Sequence, residues 1–291
     1  MTEKLKGVFA ALTTPFENGR IAIKNFQENI QKYNATGLAG YVVAGSSGEA
    51  AYLADDEAET LVGAALESSA PGKIIIVGTA RESTISTIAF TNRMADLGVQ
   101  AALIRTPSYF KAAMTTEALK LHYYAIADKA RIPIIPYHIP RVTGLSIEQR
   151  LVIELSRHPN IIGMKDSSGN LPFLGEVMPH LPSGFSYLLG AGSVFFFGLL
   201  LGASGGILRL ADVIPGQCAE LYAYFSSGEW EKASSLQRDA IPLNNAIIQK
   251  YGIAGTKYAM DLAGFFGGPP RKPILPLDKS GKKAIEEIMK K

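Results

Sequence analysis

Short apolar runs recur along the chain at residues 8–13, 40–44, 73–78, 101–106, 132–137, 161–165, 187–190 and 205–210. They are rich in Val, Ile and Leu, are too short for helices, and have the near-continuous apolar character of strands buried on both faces. Between them, apolar residues fall at helical spacing over 55–67, 86–97, 116–129 and 147–156. Strand and helix alternating in this way predict βαβ units and a parallel sheet. Eight such units predict an α/β fold of the (β/α)8 TIM-barrel type rather than an open doubly wound sheet. No GxGxxG follows any run, and Gly190-Ala191-Gly192 lacks the third glycine, so a dinucleotide site has little support.

After Ala211 the pattern becomes helical, over 215–226, 230–251 and 255–262. A turn at Gly267-Gly268-Pro269-Pro270 and a charged surface helix at 280–291 follow. This is more helix than an eighth barrel unit needs. The expected organisation is therefore a barrel with the active site over residues 1–225 and a small C-terminal helical extension over 226–291. The uncharged span 185–208 is long enough to cross a bilayer. Six glycines interrupt it in a strand, loop, helix, strand pattern, so it reads as buried α/β core and no membrane association is expected.

Composition narrows the function classes. The 291 residues are 47% hydrophobic, enough for a large core, and 29 basic against 26 acidic residues leave a net charge of only +3. Basic residues form no long run, so nucleic-acid binding is not expected. One cysteine, Cys218, excludes an intrachain disulfide and a multi-cysteine zinc site, and fits a reducing, cytoplasmic setting. The four histidines show no HxxxH or HxH spacing, so no metal site is expected. The N-terminus has no signal-peptide pattern.

In a (β/α)8 barrel the chemistry sits where strands end and the following loops begin. The sixth run, Ile161-Ile162-Gly163-Met164-Lys165-Asp166, is an apolar strand ending on a lysine. An ammonium among apolar residues is costly unless paired, and a neutral amine can form a Schiff base with a carbonyl substrate. The plainer alternative is a strand-end lysine reaching solvent or paired with Asp166. The second run ends in Gly45-Ser46-Ser47-Gly48-Glu49, whose hydroxyls and backbone N–H groups could hold a carboxylate, or which could be only a polar turn. The fifth ends in Tyr137-His138-Ile139-Pro140. Tyr137 is a candidate proton shuttle or an amphipathic aromatic at the barrel end. Tyr109, after Pro107 in a loop, could equally belong to an interface.

These three motifs, in this order and spacing, resemble the dihydrodipicolinate synthase / N-acetylneuraminate lyase superfamily of pyruvate-dependent class I aldolases over essentially the whole chain. The resemblance implies that Lys165 forms the Schiff base and that Tyr137 shuttles protons. It implies that Ser46 and Ser47 bind the C1 carboxylate, with Gly48 in the same turn, and that Ser46 also relays protons. Tyr109 would complete the relay in a neighbouring subunit, and Gly190 and Ile207 would line the pyruvate pocket. It further implies a 2-keto acid substrate, no cofactor, and a homotetramer built as a dimer of dimers.

Two departures bear on the substrate. The arginine that synthases carry five residues after the tyrosine is Val142 here, with Arg141 one residue early, and the acidic residues of the lyases are replaced by Gly192-Ser193. Within the superfamily the pattern most resembles 4-hydroxy-2-oxoglutarate aldolase, in the segment 158–167, in Tyr251-Gly252-Ile253 and in the turn 264–269. The expected reaction is cleavage of a 4-hydroxy-2-keto acid to pyruvate and an aldehyde. A synthase or dehydratase of the same superfamily is the alternative, and a barrel that binds a keto acid without turnover is the rival outside it. Arg209, in the otherwise apolar eighth run, is expected to lie on the face of Ile207. There it could clamp a distal carboxylate of the substrate or form a structural ion pair with Asp212 or Glu220.

Overall fold

A computed structural model of the chain describes residues 4–290. Its main sheet is a closed barrel of eight parallel strands: β1 (Gly7–Ala11), β2 (Gly40–Val43), β3 (Ile74–Gly78), β4 (Ala101–Arg105), β5 (Ile134–His138), β6 (Gly163–Asp166), β7 (Ser186–Leu189) and β8 (Gly205–Leu208). Each strand neighbours the next in sequence and β8 closes on β1. The (β/α)8 expectation is met, and all eight apolar runs overlap a strand. They lack alternation because both faces are covered: every residue of β1, β2, β5, β6, β7 and β8 is buried.

By backbone contacts the chain divides into two compact units, one of the residues up to Gly7 with Ile76–Ile207, the other of Val8–Ile75 with Leu208 onward. In the first unit, Val77, Ile104, Ile134, Ile135, Leu188 and Ile207 are core residues with almost no exposed surface. Helices Thr84–Asp96 and Thr116–Lys129 start on side-chain caps: Ser83 Oγ accepts the Ser86 N–H ahead of the first, and Thr115 Oγ1 accepts the Ala118 N–H ahead of the second. Helices Leu171–Val177 and Phe195–Leu200 carry no legible period. The first is interrupted by Pro172 and Gly175, and the second is apolar at almost every position.

The second unit buries Phe9, Phe26, Ile30, Tyr33, Leu61, Met260 and Ile285, drawn from β1, from helices Ile23–Asn34 and Asp55–Ser68 and from the C-terminal helices. A two-stranded hairpin, Phe16–Glu17 with Arg20–Ile21, precedes the first helix. The helix expected over 230–251 is α-helical over Trp230–Asn244 and π-helical over Asn245–Lys250. Pro242 inside it supplies no N–H to the ladder, and the wider turn follows directly. Among the described residues no helix is long and apolar enough to cross a membrane, and span 185–208 is strand, helix, strand as expected.

Candidate active site

Within the first unit, the β5–β6 ladder sets Tyr137 opposite Lys165 and His138 opposite Asp166. Side chains of one rung share a face, so Tyr137 and Lys165 project together and the next rung projects the other way. Both are buried, and the Lys165 Nζ lies 4.3 Å from the centroid of the Tyr137 ring. Ser167 joins them: its Oγ donates to the Tyr137 hydroxyl at 3.3 Å. Gly190, just past β7, makes the space. A Cβ there would stand 1.8 Å from Ser167 Oγ and 3.1 Å from Lys165 Cε, while its own N–H is held by Asp166 O at 2.6 Å. Ile207, on β8, is fully buried.

The opposite rung forms a second buried cluster. The Asp166 carboxylate lies 3.1 Å from His138 Nδ1 and accepts the Tyr187 hydroxyl at 2.7 Å, the Ser168 N–H at 2.8 Å and the Ser168 hydroxyl at 3.0 Å. Burial works to raise the Asp166 pKa. The bonds from His138, Ser168 and Tyr187 outweigh it and hold the carboxyl below its ordinary range. Burial first, and then the charge of Asp166, pushes the Tyr187 phenol well up. Sequence reasoning saw Asp166 only as a possible partner for Lys165; the partners described here are His138, Ser168 and Tyr187.

Tyr109 is 79% exposed, edge-on to Phe110, on the loop after β4. That loop is anchored by Glu82, whose Oε2 accepts the N–H groups of Ser108 and Tyr109 at 2.8 and 2.9 Å and whose Oε1 pairs with Arg105 at 2.8 Å. Glu82 was not singled out by the sequence, because its partners, two backbone N–H groups and the Arg105 side chain, are more than twenty residues away. Val142 and Arg141 are exposed in the short helical turn Pro140–Thr143.

Within the second unit, the segment after β2 is a tight turn. Ser46 O accepts the Glu49 N–H at 3.3 Å, Gly45 O accepts the Ala50 N–H at 3.2 Å, and Thr14 Oγ1 donates to Gly48 O at 2.6 Å. Ser46 is half-buried, Ser47 and Gly48 are buried, and Glu49 has a left-handed backbone with φ 57°. Arg209 Nε donates to Ser47 Oγ at 3.0 Å. β8 ends at Leu208 and Arg209 is already helical in backbone, so strand alternation does not set its direction; its bond to Ser47 does.

Comparison with known proteins agrees over the full length. The family model for the dihydrodipicolinate synthetase family matches residues 4–291. A 4-hydroxy-tetrahydrodipicolinate synthase from an Exiguobacterium species is 32% identical over 284 residues, covering 97% of this chain and 96% of that protein. One from Methanosphaerula palustris is 32% identical over 288 residues and covers 98% of each. The structure of a chloride-inhibited dihydrodipicolinate synthase from Acinetobacter baumannii, complexed with pyruvate, matches with a TM-score of 0.94 at 28% identity over 98% of both chains. The chain belongs to the dihydrodipicolinate synthetase family and is a carbon–carbon lyase of the class I aldolase type.

Proposed function

We propose that the chain joins pyruvate to an aldehyde through a Schiff base on Lys165, in the manner that its synthase-named relatives suggest. The Lys165 amine attacks the C2 carbonyl of pyruvate and the keto oxygen leaves as water. Loss of a C3 proton from the protonated imine gives an enamine, whose C3 attacks the aldehyde carbon. The new alkoxide takes a proton through Tyr137, and water then releases the product from Lys165. Ser47, Gly48 and the backbone of their turn hold the C1 carboxylate, while Ser46 and a neighbouring subunit's Tyr109 complete the proton relay. The 79% exposure of Tyr109 supports such a reach, in a homotetramer built as a dimer of dimers. No cofactor is called for, and the buried Cys218 fits a cytoplasmic setting.

The observation that carries this reading is the shared rung of Tyr137 and Lys165, with the amine against the phenol ring. Borohydride added with pyruvate should fix a covalent adduct on Lys165, and Lys165→Ala should lose both the adduct and turnover while keeping its fold. An adduct on another lysine in that variant would end the assignment, and reversible binding without any adduct would favour a non-catalytic keto-acid-binding barrel.

The reverse reaction, cleavage of a 4-hydroxy-2-keto acid such as 4-hydroxy-2-oxoglutarate, is the second reading. It is favoured by Val142, an exposed apolar residue at the position where the synthases are expected to carry arginine. A screen of aldehyde acceptors beside a retro-aldol screen of 2-keto-3-deoxy acids separates the two by relative kcat/KM.

A further inference from the structure

Among the described residues Lys257 is a second buried lysine beside Lys165, and the chemistry above does not use it. It lies in helix Gly252–Leu262 with no exposed surface. Its Nζ is 2.6 Å from Glu49 Oε1, donates to Pro269 O at 3.0 Å, and sits 4.5 Å from the centre of the Phe16 ring. Glu49 is gripped on its other oxygen too, where Oε2 accepts the Arg271 N–H at 2.8 Å. The Arg271 guanidinium lies 4.3 Å from the same Phe16 ring and makes a two-pronged bond to Glu57 at 2.6 and 2.7 Å. The turn that carries Pro269 fits because residue 267 is glycine, whose Cβ would otherwise come within 2.0 Å of Lys257 O.

Such a pair is a weak device for stability alone, since apolar residues of the same volume often serve a core as well or better. What it does here is geometric. Glu49 holds a left-handed backbone that side-chain-bearing residues rarely adopt, directly after Gly48, and its N–H closes the turn on Ser46 O. Fixing both carboxylate oxygens fixes that backbone, and with it the direction of the N–H groups and hydroxyls at Ser46, Ser47 and Gly48.

We propose that Lys257 is a positioning residue: through Glu49 it holds the Gly45–Glu49 turn in the shape that binds the substrate's C1 carboxylate, which makes the C-terminal helices part of the apparatus that recognises the keto acid. This rests on the carboxylate-binding role assigned to the turn above. Lys257 touches no substrate, so its loss weakens capture of the keto acid and leaves the chemistry on Lys165 intact.

The test has two arms. Amide hydrogen exchange reads the turn without any substrate. In Lys257→Met, exchange over residues 44–50 should quicken by about tenfold, with the 134–138 and 163–166 strands unchanged. Borohydride trapping over a pyruvate series reads the consequence. The half-saturating pyruvate concentration should rise by about tenfold, while the plateau trapping rate stays within about threefold of wild type. Glu49→Gln keeps the volume and weakens the same clamp, and should move both readouts in the same direction if Lys257→Met does not fold. A folded variant with wild-type exchange over 44–50 overturns the positioning role. A lowered thermal midpoint with unchanged half-saturation leaves Lys257 purely structural and overturns it as well. A wild-type protein that traps no pyruvate defeats the function proposed above, and the exchange arm still decides whether Lys257 holds the turn.

Discussion

Tyr137 and Lys165 stand on one rung of the β5–β6 ladder, the lysine Nζ 4.3 Å from the centre of the tyrosine ring, with the Ser167 hydroxyl bonded to the phenol at 3.3 Å. The geometry separates two jobs that are often confused. The ring face lies against the amine, and the hydroxyl, bonded to Ser167, is the group proposed to move protons. Tyr137→Phe keeps the face and loses the hydroxyl. It should still form the pyruvate adduct, while turnover drops by about a hundredfold or more. Stopped-flow turnover beside single-point trapping checks this, and turnover at the wild-type rate would assign the proton to another group.

Gly190→Ala tests the space around that pair. The added methyl would fall 1.8 Å from Ser167 Oγ and 3.1 Å from Lys165 Cε. Ser167 must turn away from Tyr137 to make room, so turnover should fall by about tenfold or more even where the protein remains folded. Ser167→Ala should fall less and in the same direction. A fully active Gly190→Ala protein would mean that the Ser167–Tyr137 bond is dispensable.

Arg209 lies against Ser47, and its role divides by substrate. If its guanidinium clamps a distal carboxylate, Arg209→Ala should weaken a dicarboxylic keto acid by about 2–5 kcal/mol and leave pyruvate trapping little changed. Equal losses for dicarboxylic and uncharged-tail substrates would remove the distal role and confine Arg209 to its bond with Ser47. Parallel kcat/KM series on the two substrate types decide between them.

Acid sensitivity should trace in part to His122. It is buried in helix Thr116–Lys129 with Nδ1 2.9 Å from Thr84 Oγ1, and burial pulls its pKa down to about 4, against a smaller opposing pull from Glu82. The folded state therefore keeps His122 neutral where the unfolded chain takes up a proton. Stability from this group is fully present above about pH 6.5 and declines as pH falls toward 4, by up to about 3 kcal/mol. His122→Gln should flatten that part of the pH–stability curve, measured by denaturant titration. An unchanged slope would place the acid sensitivity elsewhere.

The strands were legible because a parallel barrel buries both faces of each one, so that Ile74–Gly78 or Ile134–His138 can hardly be anything else. Lys165 was legible for the same reason, as one charge at the end of an apolar run. Ser167 was written beside it but could be given a role only once the loop after β6 turned it toward Tyr137. Glu49 and Lys257 are separated by more than two hundred residues, and no local pattern couples them. Arg209 was read by strand alternation, but β8 stops one residue earlier, so alternation does not extend to it.

The buried cluster on the outer rung has a consequence for assembly of the barrel. Period-two alternation means that a slip of β6 by one residue exchanges its two faces, carrying the amine outward and a carboxylate inward. The outward carboxylate of Asp166 meets His138 on β5 and Tyr187 on β7 only when Lys165 faces the other way. Asp166 thus works as a registration pin: a barrel that closes with its partners engaged has, by the same act, aimed the Lys165 amine to the other face.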